Sequence, residues 1–202
     1  MWTPEIKDIV ESRCFHDRVV AVGEMGLDYS HKNTVDRDFQ KSVFREQLQL
    51  AQKLQKPIVI HCRDADDDCL EIMKEVLPHD TKIHRHCFTQ DLYHARAWIH
   101  HFTNLYLGFT PLIYRCSQSL WEVVEYVSDD RFLIETDAPY FLPRCFGRKS
   151  ALKSENNSIG DLRMSHPGMG IIVAHSIARA KKKPITEVME RVRQNTRSLY
   201  GI

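Results

Sequence analysis

Four side chains that commonly ligate metals stand at comparable places along the chain, each beside a short apolar run. Glu24 follows VVAVG, His61 closes PIVIH, His86 closes KIHRH, and Asp137 lies just past FLIE. If these runs are parallel strands, their carboxyl ends meet at one edge, where α/β proteins build their sites. Imidazole and carboxylate groups together suit Zn, Mn or Co, so the four residues predict a metal centre. The alternative is that they are buried polar residues paired with one another.

The segment KIHRHCF leaves open which histidine would be a ligand. His84 and His86 are two residues apart, and residues two apart on a strand face the same side. Both could therefore point into one site. Neighbours on a strand face opposite ways, so we expect Cys62 and Cys87 to point at the surrounding helices and to pack there.

The elements that must position these residues form an alternating series. The apolar runs are nearly continuous, which is typical of strands covered on both faces. Amphipathic helical patterns lie between them, at about 36–55, 65–76, 92–101, 119–127 and from Thr186 onward. Five βα units in series predict an α/β fold with a parallel sheet in a single domain over residues 1–202. The predicted strands are Val19–Gly23, Pro57–His61, Lys82–His86, Leu105–Phe109 and Phe132–Glu135.

Composition narrows the class of protein. The 202 residues are 43% hydrophobic and 27% charged, which is ordinary for a soluble globular domain. No apolar run approaches the ~20 residues that a membrane span needs, and the polar N-terminal segment is not a signal peptide. The six cysteines contain no CxxC pair, so we expect reduced thiols in a nuclear or cytoplasmic protein. Residues 138–202 hold 12 of the 28 Lys and Arg residues and 4 of the 27 acidic residues, which indicates a polyanion-binding surface or simply a solvated face.

Four sequence blocks follow one another along the chain: Gly23–Tyr29 (GEMGLDY), Pro57–Arg63 (PIVIHCR), His86–Thr89 (HCFT) and Glu135–Pro139 (ETDAP). In this order they resemble the TatD-type metal-dependent deoxyribonucleases of the metallo-dependent hydrolase superfamily. The resemblance covers nearly the whole chain, including NTRSLYG near its end, and is strongest to vertebrate members whose C-terminal region is such a domain. It implies a (β/α)8 TIM-barrel fold, of which about five of the eight βα units are present.

The resemblance implies a function and roles for the candidate ligands. Members of the family hydrolyse phosphodiester bonds of DNA, so we expect a nuclease that acts on DNA, with RNA as a further substrate, from the 3′ end. Two divalent ions (Mg, Mn or Zn) would be bridged by Glu24, with His61 and His86 completing the site of one ion. His86, not His84, would be the ligand. Asp137 would help to hold the second ion and would orient or deprotonate the attacking water.

Two arginines are the expected substrate-binding residues. Arg63 could hold a phosphate with two hydrogen bonds, or it could form a salt bridge with the acidic cluster at 64–68, which we interpret as capping the next helix. Arg144 begins the basic segment Arg144–Arg163, which could guide a nucleic-acid backbone. The expected partner is therefore nucleic acid and not a membrane, and we expect a monomer.

The sequence also departs from the family pattern. The family's first strand carries an HxH pair, and no such pair precedes Val19, so we expect an N-terminally truncated barrel with impaired catalysis and one metal ion. HPG at His166–Gly168 and Gln90 after HCFT also differ from most members, which affects substrate details. A non-catalytic isoform or fragment that binds metal or nucleic acid is the alternative. A third possibility is an amidohydrolase on the same fold, but such an enzyme usually has a lysine at a strand end and none stands there.

Overall fold

The computed structural model describes residues 2–114, 118–143 and 164–202. The basic segment 144–163, with Arg144 and Cys145, and also Cys116 lie outside the described residues. Seven α-helices and five strands alternate along the described part of the chain. In chain order they are α1 Pro4–Cys14, β1 Val22–Asp28, α2 Arg37–Leu54, β2 Ile58–Arg63, α3 Asp66–Val76, β3 Ile83–Arg85, α4 Leu92–His101, β4 Leu105–Phe109, α5 Gln118–Tyr126, β5 Phe132–Ile134, α6 Gly170–Lys181 and α7 Ile185–Tyr200.

The strands confirm the predicted α/β fold. They neighbour one another in chain order, β1-β2-β3-β4-β5, and the pairs β1–β2, β2–β3 and β4–β5 are parallel. Within the described residues this order has two ends, so the sheet does not close into a barrel. The core positions of β2 and β4 are apolar, which agrees with strands that are covered by helices.

Two element boundaries differ from the prediction in a way that matters for the site. The first strand was predicted at Val19–Gly23, but it begins at Val22 and extends to Asp28. Glu24 is therefore the third residue of β1 and does not follow its end. The third strand stops at Arg85, so His86 and Cys87 lie just beyond it. Helix α6, at Gly170–Lys181, was not predicted from the sequence.

Contacts divide the chain into two compact units, the first of which comprises Met1–His86, Arg96–Tyr106 and Thr196–Ile202. Its core includes fully buried side chains from the strands and from α2, namely Leu27, Phe44, Leu48, Ile58 and Ile60. Phe39, in the first turn of α2, is 47% exposed and lies outside this core.

Helix α2 begins and ends through local signals that the sequence contains. The carboxylate of Asp36 accepts a hydrogen bond from the amide of Phe39 at 2.9 Å, which satisfies one of the amides left open at the helix start. At the other end Gln55 adopts a left-handed conformation with φ 52°, and Pro57 follows two residues later. The helix is thereby fixed directly before β2, which carries His61.

The second unit comprises Cys87–Ala95 and Leu107–Asn195. Its core contains Phe109, Val123, Phe132 and Val173, all at most 1% exposed. The side-chain amide of Asn195, from α7, donates to the carbonyls of Asp129 and Phe132 at 2.8 Å each. Because Asn195 is 3% exposed, these bonds are shielded from solvent, and they tie the helix to the start of β5.

Candidate metal centre

Three of the four predicted ligands meet in the first unit. One ligand atom each from Glu24, His61 and His86 lies within 4.8 Å of the other two. Glu24 Oε1 is 2.7 Å from His61 Nδ1 and 4.0 Å from His86 Nε2. The two imidazole rings are stacked, with centroids 6.3 Å apart and planes inclined by 28°. Two nitrogens and one carboxylate oxygen that converge in this way fit a divalent transition metal such as zinc or manganese.

A β-bulge aims Glu24 into this group. Val22 pairs with Ile58, but Met25 pairs with Ile60, so the step is three residues on β1 and two on β2. The additional residue interrupts the alternation of side chains and turns the strand locally. The side chain of Glu24 is 45% exposed, which leaves it accessible to an ion or a substrate.

His86 is positioned by the backbone beyond β3. Its amide donates to the carbonyl of Ile60 at 3.0 Å, so the residue stays beside β2 although the assigned strand has ended. Its side chain is 14% exposed. His86 thus lies in one side-chain group with Glu24 and His61, and its role as a ligand stays a prediction.

His84 has a different environment. Its Nδ1 lies 2.6 Å from the hydroxyl of Tyr200, and the residue is 7% exposed. The His84 and His86 rings meet edge to face, with centroids 6.4 Å apart. The contact with the C-terminal helix indicates a packing role for His84.

Asp28 was not selected from the sequence, yet it lies beside the group. Its Oδ2 is 3.6 Å from His61 Nε2 and 3.7 Å from Arg63 Nη1. Partial burial raises the pKa of Asp28, but hydrogen bonds from Ser30 and the charges of Arg63 and His61 outweigh it and hold the pKa below its usual value. Counting every second residue from Glu24 through Gly26 to Asp28 would have marked this carboxylate in the sequence.

Arg63 is half exposed and pairs with Asp28. The sequence left two roles open for it, a phosphate contact or a salt bridge with the acidic cluster at 64–68. That cluster makes specific contacts within the first unit in addition to lying at the start of α3. Asp68 accepts a hydrogen bond from the Tyr29 hydroxyl at 2.6 Å and forms an ion pair with Lys41, also at 2.6 Å. Burial and the bond to Asp68 together raise the pKa of Tyr29. These contacts fasten the segment after β1 to α3.

Asp137 lies in the second unit, three residues after the end of β5, and has a left-handed conformation with φ 50°. A carboxylate oxygen of Asp137 lies within 4.8 Å of Cys87 Sγ.

Cys62 is 7% exposed, as its expected packing role requires. Cys87 is only partly buried and has φ 45°, because it follows the end of β3 and strand alternation no longer applies. Its Sγ lies 3.5 Å from the Thr110 hydroxyl, and the expectation that it packs against the surrounding helices stays a prediction.

Comparison with known proteins places the chain in a family. Residues 2–201 match the family described as TatD related DNase. The chain belongs to this family. Over 188 residues it is 42% identical to the human 3′-5′ RNA nuclease TATDN2, covering 93% of this chain and 23% of that protein. It is 35% identical over 145 residues to the 3′-5′ ssDNA/RNA exonuclease TatD of Salmonella typhimurium, covering 71% of this chain and 55% of the relative.

A solved structure shows the corresponding fold. The hydrolase of the TatD family from Entamoeba histolytica superposes with a TM-score of 0.79 at 26% identity, covering 97% of this chain and 67% of that protein. The chain thus has the α/β architecture of TatD-type barrels. It spans about a quarter of the human relative and about half of the bacterial one.

Proposed function

We propose that this chain is a metal-dependent nuclease that hydrolyses phosphodiester bonds of DNA or RNA from the 3′ end. The observation that carries the proposal is the convergence of Glu24, His61 and His86 within 4.8 Å of one another. Support for the substrate class comes from the relatives, which are described as nucleases of RNA or single-stranded DNA. The free thiols in the described part of the chain suit a nuclear or cytoplasmic location.

The three residues would hold one divalent ion. When bound, such an ion would activate water and stabilise negative charge that develops on a phosphate. The resemblance assigns Asp137 to a second ion and to the acceptance of the proton from the attacking water. The choice among Mg, Mn and Zn depends on the donors, and two imidazoles favour Zn or Mn over Mg.

The surroundings supply groups for the substrate. A cavity of about 600 Å³ borders Glu24, Asp28 and His61, a size ordinary for small-ligand sites. The side chain of Arg63 is 50% exposed, and its Nη1 is 3.7 Å from Asp28 Oδ2, which is long for an ion pair. Because an exposed pair of this length is weak, Arg63 can turn toward a phosphate at little cost. Arg63 would then neutralise backbone charge beside the ligand group. Arg144, outside the described residues, remains a proposed contact on the basis of the sequence.

The test compares two histidines of one segment. The purified chain and its His86→Ala and His84→Ala variants are analysed for bound metal, and then for cleavage of a 3′-labelled and a 5′-labelled single strand with Mn or Mg. Loss of a residue that only supports a ligand commonly lowers metal affinity ~10- to 100-fold. We expect His86→Ala, which removes a ligand itself, to lower metal affinity by more than this and to abolish cleavage. His84→Ala keeps the ligand group, so it should retain both, with a lower melting temperature.

Three outcomes distinguish the nuclease, the non-catalytic metal-binding protein and an incorrect ligand set. Metal-dependent cleavage that is lost in His86→Ala and in Asp137→Ala supports the nuclease. Metal binding that is lost in His86→Ala, without cleavage by the unmodified chain, favours the non-catalytic alternative. Equal metal content in the unmodified chain and His86→Ala would contradict the proposed ligand set.

A further inference from the structure

A buried arginine joins β2, which carries His61, to the residue that follows β3, His86. Arg85 is the last residue of β3 and is 1% exposed. Its Nη1 donates to the carbonyl of His86 at 2.8 Å, and its Nη2 donates to the carbonyl of Cys62 at 2.8 Å. Cys62 directly follows His61, so one planar group bonds to the backbone at both ligand positions.

The charge of Arg85 is compensated inside the first unit. Its Nη2 is 3.4 Å from Oδ1 of Asp66, whose side chain is 4% exposed. Its guanidinium carbon lies 5.4 Å from the centre of the Trp98 ring, within the range of a cation–π contact. The helix-facing side of β3 therefore holds an enclosed ionic group where an apolar side chain would be the common choice.

Stability gives little reason for this choice. Removing two charges from water costs about as much as their attraction returns, and well-packed apolar residues often replace buried ion pairs without loss. What an apolar residue cannot supply is two directed hydrogen bonds in one fixed plane. Those bonds set the distance between the end of β2 and the residue after β3.

We propose that Arg85 is a positioning residue for the metal centre: its fork holds the backbone at His61 and His86 so that their imidazoles present nitrogen atoms to one ion. Because Arg85 is 1% exposed and bonds to backbone carbonyls, it would act through the backbone and not by contact with the ion or the substrate. The inference rests on the metal centre of the proposed function and identifies the part of the fold that keeps two of its ligands in register. Outer partners of this kind commonly change metal affinity 10- to 100-fold when they are removed.

The test measures metal affinity and fold stability separately. Arg85→Met removes the fork with little change in length, and Arg85→Lys keeps the charge but not the two directed bonds. Leu48→Ala, in the fully buried core of α2, is the matched control for general destabilisation. Each folded chain is titrated with Co²⁺ well below its melting temperature, and the visible absorption of the bound ion is recorded.

We expect Arg85→Met to bind Co²⁺ about 10- to 100-fold more weakly, with an altered absorption band. Arg85→Lys should lie between it and the unmodified chain, and Leu48→Ala should bind as the unmodified chain does. Unchanged affinity and spectrum in Arg85→Met would overturn the proposal, and so would an equal loss of affinity in Leu48→Ala.

A second readout does not need metal. The amide of His86, which donates to Ile60, should exchange its hydrogen faster in Arg85→Met, or in Arg85→Lys if the methionine variant does not fold, than in Leu48→Ala. If the unmodified chain takes up no Co²⁺, the proposed metal centre fails, and this exchange still decides whether Arg85 positions the strand ends. Equal exchange rates in the arginine variant and the control would refute the positioning role.

Discussion

Gly26 offers a sharp test of how β1 and β2 position the candidate centre. It pairs with His61 across the two strands and has φ +150°. A Cβ atom added at Gly26 would lie 1.7 Å from the carbonyl oxygen of His61, whereas real Cβ contacts essentially never fall below 3.0 Å. In Gly26→Ala the strands must therefore separate by at least about 1.3 Å at a ligand position.

Two costs follow from this displacement. An alanine in a backbone region that favours glycine costs about 1–3 kcal/mol. The disturbed strand pairing loses about one hydrogen bond, which costs a further ~1 kcal/mol. At about 2–4 °C per kcal/mol for a chain of this size, a total near 3 kcal/mol lowers the melting temperature by about 6–12 °C. Since a misplacement of about 1 Å can cost 100-fold in rate, metal-dependent cleavage should fall by about that factor.

Gly201 supplies the control. Its φ is +71°, and an added Cβ would meet nothing within 4 Å. Gly201→Ala thus tests backbone strain without a clash, and we expect about 1 kcal/mol of destabilisation with unchanged metal affinity. Calorimetry and a Mn²⁺ titration of both variants suffice. If Gly26→Ala melts and binds metal as Gly201→Ala does, the close approach of β1 and β2 is not what positions His61.

Two further predictions concern the stability of the second unit. Asn195→Ala removes the donor to the carbonyls of Asp129 and Phe132. In urea titrations the free energy of unfolding should fall by about 2–3 kcal/mol, with no change in metal affinity. A loss below about 0.5 kcal/mol would contradict a stabilising role of these two bonds. The hydrogen bond from Lys183, together with Lys181, lowers the pKa of Asp129, so its carboxylate stabilises the fold above the unfolded-state pKa of about 3.9 and this contribution is lost as the pH falls through the lower folded-state value. Asp129→Asn should therefore lower the melting temperature at neutral pH and flatten its decline below about pH 5, and parallel pH profiles of the two proteins would refute this linkage.

Local patterns in the sequence were sufficient for the order and type of most elements. Strand β4 occupies Leu105–Phe109 and helix α4 occupies Leu92–His101, as predicted. These segments have strong periodicity or continuous apolar character, and turn residues bound them. Helix α6 was missed because its small and apolar residues give no clear amphipathic face.

The candidate site divides in the same way. The position of Glu24, His61 and His86 beside parallel strands could be read from the sequence, since each follows or closes an apolar run. The bulge that aims Glu24 could not, because it depends on the register between β1 and β2. The role of Arg85 was also invisible, because its carbonyl partners belong to two different strand ends.

The sequence by itself determined the α/β class, the family and the set of residue types that could hold a metal. The resemblance implied that His86 and not His84 is the ligand, but only the tertiary structure showed what each histidine of KIHRHCF contacts. His86 stays beside β2 and Glu24, whereas His84 meets Tyr200, which is 116 residues away in the chain. Periodicity reports which face of a strand a residue occupies, but it contains no information on which distant segment covers that face. That choice is made by packing and hydrogen bonding between elements far apart in sequence.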